Sequence, residues 1–446
     1  MDNKTIYALS TVFGKSGVAI IRVSGKNAFD VFDKMTEIKS KDVEARKLYY
    51  TKIFDSVSHE TLDNCMIVGF PSPFSFTGEN IVEINCHGSK AVIRSLINSL
   101  SAINGFRLAE PGEFSRRAFY NGKMDLTEAD GLADLIDAET SLQQKIALRQ
   151  VGGNLFDLYA SWRDCLVSVL SHIEAYIDFP DEDIPESVVR DVENSVFKIA
   201  DEIKKHLESS DVEERLRDGF NVVIAGPTNA GKSSLINAIT KRNVAIVSDI
   251  AGTTRDVVEA YVDIKGFPII FSDTAGLRTT SDEIEKIGIK LAEEKIVNAD
   301  FKIFMFDANV DNPEIFAKYI DNSDNFMLVA NKMDKMDEEL IAKMKSKGCF
   351  LISAKDNNSV AAIVDAIYNY FNNKFMQNES HVITRHRYKE ALLECLDCLG
   401  NFSLQKDIEL SAEDIRLACR SIGKITGQVA VDEILDKIFS SFCIGK

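Results

Sequence analysis

The chain has 446 residues, 45% hydrophobic and 27% charged, enough for two to three domains with real cores. Its 69 acidic against 52 basic residues leave a formal charge of −17, which argues against a broad basic nucleic-acid surface but leaves room for a local basic patch. No apolar run reaches the 18 residues that a membrane span needs, and eight scattered cysteines make no disulfide framework at this length. The opening MDNKTIYALS has neither the layout of a secretion signal nor the Arg/Ser richness of a transit peptide, so a cytoplasmic location is expected. Cys395 and Cys398 form a CxxC inside a helical pattern with no second pair, which reads as a reduced helix, and the six histidines show no ligand spacing.

In chain order, residues 1–119 alternate strand and helix signals. VAIIRVSG (18–25), KLYYTKIF (47–54), NCMIVGF (64–70) and NIVEINCHG (80–88) are predicted strands. Val92, Ile93, Leu96, Ile97 and Leu100 predict an amphipathic helix. From residue 120 to 217 long helices take over. Asp125 and Glu128 form a capping box before Leu126, Ala129, Leu132, Ala133 and Ile136. Leu166, Val169, Leu170, Ile173 and Ile177 make a second stripe, which the acidic DFPDEDIPE (178–186) ends. A nucleotide domain is expected over 218–375. Helices return over 376–446, with stripes at Leu392, Leu393, Leu396 and Leu399, at Ile415, Leu417, Ala418 and Ile422, and at Val431, Ile434, Leu435 and Ile438. The economical fold is multidomain α/β plus all-α, with the nucleotide domain inserted in one helical domain. Two separate helical domains are the alternative.

Four motifs in the central domain stand in the order of a guanine-nucleotide site: GPTNAGKS (226–233), GTTRD (252–256), DTAG (273–276) and NKMD (331–334). In the first, backbone N–H groups cradle phosphates, Lys232 neutralises them and Ser233 ligates Mg²⁺. Thr253 and Thr254 belong to a loop that closes over the γ-phosphate, and Asp273 supports the metal. Asn331 and Asp334 select guanine, whose ring N–H and amino group a fixed carboxylate accepts. Ser353, Ala354 and Lys355 complete that pocket.

Hydrolysis needs a group that orients water. The residue after DTAG is Leu277, which cannot do so. Glu285, in the acidic SDEIE, is the candidate; a solvated helix N-terminus is the plain alternative. Arg255 is near but not assignable as an arginine finger. Asn229 places a polar oxygen beside the phosphates, suited either to a monovalent cation or to a loop-stabilising Asx contact.

Together with IIRVSG, NCHGS, RLAEPGEFSRRAFYNGKMDLTEADGLADLIDA, AYIDFPDEDI and the final FCIGK, these motifs resemble the tRNA-modification GTPase family MnmE (TrmE), within the TrmE-Era-EngA-YihA-Septin-like GTPases. The resemblance covers essentially the whole chain. It implies a tetrahydrofolate-binding N-domain that forms a homodimer, a helical domain and a Ras-like P-loop G domain. Arg22, Glu83, Lys123 and Lys446 would bind a 5-formyl-tetrahydrofolate-type cofactor. GTP would be held by Asn229, Ala230, Gly231, Lys232, Ser233 and Ser234, by Ser248, Asp249, Ile250, Ala251, Gly252, Thr253 and Thr254, by Asp273, Thr274, Ala275 and Gly276, and by Asn331, Lys332, Asp334, Ser353, Ala354 and Lys355. Ser233 and Thr254 would hold Mg²⁺. Asn229, Ser248, Ile250 and Thr253 would hold K⁺, and Glu285 would be the catalytic acidic residue.

The resemblance further implies an MnmG-like FAD protein as partner in a heterotetramer-type complex. With it the chain would install a carboxymethylaminomethyl or aminomethyl group on the wobble uridine of certain tRNAs. Potassium-stimulated GTP hydrolysis would drive opening and closing of the dimer. Ser248 stands where Thr is common, and NCHGS replaces the commoner GHGG; Cys443 is open to a catalytic role or, more plainly, a structural one on the folate side. The competing class is a ribosome-assembly GTPase, an RNA-binding switch, which usually carries GXXG between two helices. Here the only GXXG, Gly14 to Gly17, precedes a predicted strand. A membrane-transport GTPase is disfavoured by the lack of spanning segments.

Overall fold

The computed structural model describes residues 4–178, 186–208, 215–242, 259–273, 293–320, 325–376, 385–405 and 407–429, with residues 435, 438–440, 442 and 445. It divides into two compact units: Met1–Ala133 with Gln150–Ile184 and Phe402–Lys446, and Asp134–Arg149 with Pro185–Asn401.

The first unit is built on a six-stranded sheet. Its strands are β1 (Thr5–Leu9), β2 (Ser16–Ser24), β3 (Leu48–Phe54), β4 (Thr61–Phe70), β5 (Ile81–Gly88) and β6 (Phe106–Leu108), in the order β3-β4-β5-β2-β1-β6. Only β1 and β6 pair in parallel. Alternation along each strand decides its faces. Val82, Ile84 and Cys86 join Ile21, Val23 and Ile67 in a core with Phe32, Met35, Leu96 and Leu100. Glu83, Asn85 and His87 take the other face. Four strands lie where the sequence predicts them; β1 and β6 are additions, too short to carry a periodic signal of their own.

The predicted capping box is present. The Glu128 N–H donates to Asp125 Oδ1 at 3.1 Å, and the Asp125 N–H donates to Glu128 Oε2 at 2.9 Å. Helix Asn154–Asp178 buries Tyr159, Trp162, Leu166, Val169 and Ile173, and packs on helix Ile408–Thr426. The latter buries Ile415, Ala418, Cys419 and Ile422, while Leu417, expected in the stripe, is 40% exposed. A 3.6-residue period puts 415, 418, 419 and 422 on one side and turns 417 away. Chain from before and after the nucleotide domain thus forms one helical layer, so that domain is an insertion. Near the chain end, Ser10 Oγ donates to the Gly445 carbonyl at 3.0 Å. Val431, Ile434, Cys443 and Lys446 lie outside the described residues.

The second unit holds β7 (Phe220–Ala225), β8 (Glu259–Ile264), β9 (Phe267–Asp273), β10 (Phe301–Asp307), β11 (Phe326–Asn331) and β12 (Phe350–Leu351), in the order β12-β11-β10-β7-β9-β8. All neighbours are parallel except β8–β9. Every position of β10 is buried, as a central parallel strand covered on both faces requires. One face packs Val222, Ile224, Ile303 and Met305 against Leu235, Ile239, Ile363 and Phe371. The other packs Val223, Phe304 and Phe306 against Ile296, Phe316 and Met344. Helices Glu186–Glu208 and His386–Asn401 pack together in this unit.

Burial pushes the Cys65 thiol up to about 12 and that of Cys419 up to about 11, so both stay protonated and unreactive. Among the described residues no group of three His, Cys, Asp or Glu is arranged to hold a metal ion. No described helix is long and apolar enough to cross a membrane.

Candidate active site

The site lies at the carboxyl ends of the parallel strands, where doubly wound sheets bind ligands. After β7 the chain turns at Gly226, where an added Cβ would lie 1.9 Å from the Met305 carbonyl oxygen. Asn229 (φ 66°) and Gly231 (φ 103°) then take left-handed conformations. This folds the loop into a nest of inward N–H groups ahead of helix Lys232–Arg242.

One buried side chain ties three loops together. Asn331 Nδ2 donates to the Ala230 carbonyl at 2.7 Å, and Asn331 Oδ1 accepts from the Ala354 N–H at 3.0 Å. The packing leaves no room at Gly231, whose Cβ would lie 2.2 Å from Asn331 Nδ2. Lys332 adopts φ 64°, and its ammonium donates to Asp307 Oδ2 at 2.7 Å. Burial works to raise the Asp307 carboxyl, but hydrogen bonds from Lys332 and Asn309 outweigh it and hold the pKa below its ordinary value. The Met333 N–H donates to the Ile352 carbonyl at 2.9 Å, which pins the turn that presents Asp334.

Lys232 is 8% exposed. Its ammonium donates to the carbonyls of Gly226 (3.0 Å) and Pro227 (3.2 Å) and lies 3.9 Å from Asp273 Oδ1. Burial pushes its pKa down, with Asp273 opposing, so an added anion is strongly favoured there. Ser233 Oγ donates to Asp273 Oδ2 at 2.8 Å. Asp273 Oδ1 is buried and accepts no hydrogen bond among the described residues. A hydroxyl and a carboxylate with an unsatisfied oxygen are the hard donors that suit hydrated Mg²⁺.

Lys232, Ser233, Asn331 and Lys332 share one cavity of about 480 Å³, a size suited to a small-molecule ligand. Its walls are Asn229, Gly231, Lys232, Ser233, Ser234, Asn331, Lys332, Asp334, Lys335, Ser353, Ala354 and Lys355. Ala230 is buried beneath it and contributes its carbonyl to Asn331. Lys335 and Asp307 are additions to the residues read from sequence. Lys335 follows Asp334 directly, and Asp307 is the lone acid ending the apolar strand FKIFMFD. Ser248, Asp249, Ile250, Ala251, Gly252, Thr253, Thr254, Arg255, Thr274, Ala275, Gly276, Leu277 and Glu285 lie outside the described residues.

A second cluster sits on the N-terminal sheet. Arg22 and Glu83 are register partners on β2 and β5. Arg22 Nε and Nη2 both approach Glu83 Oε1, at 2.9 and 2.8 Å. The guanidinium lies 5.4 Å from the Phe76 ring centre and 5.8 Å from that of Phe114. No described residue donates to Glu83 Oε2. Lys123 is exposed beside Gly78, where an added Cβ would meet its side chain at 3.1 Å. The loop carrying Phe76 and Gly78 is fixed by Arg117, which donates to both Glu79 oxygens at 3.1 and 3.0 Å, and by Asn121, which donates to the Thr77 carbonyl at 2.7 Å. Sequence reading missed Glu79 and Arg117, although Arg117 lies in the quoted EPGEFSRRAF.

A buried ammonium at Lys232, hard oxygen donors at Ser233 and Asp273 and a carboxylate at Asp334, gathered at the carboxyl ends of one parallel sheet, are the arrangement of a P-loop GTPase domain. The profile "GTP-binding protein TrmE N-terminus" matches residues 5–123, and "MnmE helical domain" matches residues 126–443. The tRNA modification GTPase MnmE of Rickettsia canadensis (strain McKiel) is 46% identical over 446 residues, covering 99% of this chain and 100% of that one. Its counterpart in Rickettsia bellii (strain RML369-C) is 46% identical over 448 residues with the same coverage. A solved structure of Era in complex with MgGDPNP and a segment of 16S ribosomal RNA is 31% identical over 34% of this chain and 56% of that one, with a TM-score of 0.28, an overlap too partial to carry weight. The chain belongs to the MnmE family of tRNA modification GTPases.

Proposed function

We propose that this chain couples GTP hydrolysis to modification of the wobble uridine of certain tRNAs, installing a carboxymethylaminomethyl or aminomethyl group together with an MnmG-like flavoprotein. The observation that carries the reading is the likeness to tRNA modification GTPases over 99% of the chain, so that the flanking domains match as well as the GTPase. The working units are 1–119 for folate and homodimer formation, 120–217 with 376–446 as the helical domain, and 218–375 as the switch, in a cytoplasmic protein.

In this reading Lys232 and the loop amides bind and orient the phosphates, while Asp334 holds guanine. Mg²⁺, held by Ser233 and Thr254, supplies positive charge at the outer phosphates. Asn229, Ser248, Ile250 and Thr253 hold K⁺; the support for Asn229 is its left-handed position on the cavity wall. Glu285 orients the attacking water. Arg22, Glu83, Lys123 and Lys446 bind a 5-formyl-tetrahydrofolate-type cofactor. The open Glu83 Oε2 suits a pterin N–H donor, and Gly445 beside Ser10 brings the chain end to this domain.

Two kinetic measurements test the switch. Glu285→Ala should bind GTP as wild type does and lose turnover by about a hundredfold or more, as when a water-positioning or charge-stabilising group is removed. Retained turnover would exclude Glu285. Hydrolysis should run faster in potassium than in sodium, and equal rates in the two would remove the cation role of Asn229.

A further inference from the structure

One corner of the N-terminal sheet takes part in neither site. The loop between β1 and β2 carries Phe13, which is 47% exposed. Two cations from the start of helix Lys90–Ser101 lie against its ring: Lys90 Nζ at 5.7 Å and the Arg94 guanidinium at 5.9 Å from the centroid. Lys15 stands two residues along the same loop, and Lys15, Lys90 and Arg94 are all exposed. None of the three has a carboxylate partner among the described residues. Asp63, on the neighbouring strand, is already engaged by His87 Nδ1 at 2.8 Å.

Both ends of the loop are anchored. Gly88 pairs with Ser16, and a Cβ at Gly88 would come within 1.9 Å of Ser16 Oγ, so β2 begins hard against the end of β5. The Ser10 N–H donates to the Ile20 carbonyl at 2.8 Å, and the Ile20 N–H donates to Thr11 Oγ1 at 3.3 Å. A half-exposed ring, flanked by cations that no described carboxylate neutralises, is thus presented by a chain whose net charge is −17.

We propose that this corner binds an unpaired segment of the tRNA, with Phe13 stacking on a base and Lys15, Lys90 and Arg94 taking the flanking phosphates. The inference rests on tRNA being the substrate, as read above. Every base offers a π-face to an aromatic ring, and lysine and arginine beside it neutralise the backbone. A phenyl ring stacks only on a base that is itself unstacked, so loops and ends are the fit rather than the duplex. An acidic peptide would use the cations and leave Phe13 idle.

The test is fluorescence anisotropy of the full-length chain with an unmodified tRNA transcript, over a range of salt. Phe13→Ala should weaken binding roughly tenfold, and Phe13→Trp should restore it. Lys90→Gln with Arg94→Gln should lower the slope of log affinity against log salt by about 1.4, the value for two single-strand phosphate contacts. GTP turnover without tRNA should stay at the wild-type rate in all of them. Wild-type binding with unchanged affinity and slope in the variants would overturn the proposal. Equal losses with a poly-glutamate probe and with tRNA would overturn it in favour of a general anion surface. A wild-type chain that binds no tRNA would instead sink the substrate reading itself.

Discussion

Replacing Lys232 with Met should abolish GTP binding without destabilising the nucleotide-free protein. The ammonium is buried and held by two carbonyls, with one carboxylate at 3.9 Å. Losing a buried charge partner of the phosphates costs about 4 kcal/mol, near a thousandfold in affinity. The nucleotide-free protein responds in the opposite sense. Burial lowers the Lys232 pKa, so the folded chain disfavours the charged form relative to the unfolded chain. That penalty is complete below the folded-state pKa and fades as pH rises through it toward the unfolded value. The variant should therefore melt at or above the wild-type temperature at neutral pH, and the gap should narrow in alkali. Wild type at a hundred times Kd gains about 2.7 kcal/mol from GTP; the variant should gain nothing. A thermal shift with GTP retained in the variant would refute this role.

Asp334→Asn should exchange guanine for xanthine. The Asp334 side chain is exposed on the cavity wall, and its turn is pinned by the bond from Met333 to Ile352. A carboxylate accepts two N–H donors from guanine. An amide in its place loses one and turns a donor toward the other, which costs about 3–4 kcal/mol. GTP affinity should fall by more than a hundredfold while XTP gains, because xanthine presents a carbonyl where guanine has its amino group. Competition between the two nucleotides for the variant checks this. Unchanged preference for GTP would mean that Asp334 does not read the base.

The nucleotide site was the most legible part of the chain, for a physical reason. Phosphate binding needs a turn, a cation and a hydroxyl within eight contiguous residues, so GPTNAGKS displays its chemistry at a glance. The ties that hold the site were not legible. Asn331 reaches Ala230 and Ala354 across 101 and 23 residues, and Lys332 reaches Asp307 across 25. The same holds for Arg117 and Glu79, 38 residues apart, which fix the loop beside Arg22. Strand alternation by itself puts Glu83 on the face opposite Val82 and Ile84, whereas its pairing with Arg22 needs the register of β2 on β5. Leu417 was misplaced by counting apolar residues where the helical period favours Cys419. β1 and β6 are too short to show a period, and it is the pairing of β1 with both β2 and β6 that makes them strands.

The central claim is that the GTP switch serves modification of the wobble uridine. Nucleoside analysis of tRNA from a strain lacking this chain is the direct measurement. The carboxymethylaminomethyl or aminomethyl uridine should be missing, should return with the wild-type chain, and should stay missing with Lys232→Met. An unchanged set of wobble nucleosides in the deletion strain would contradict the claim.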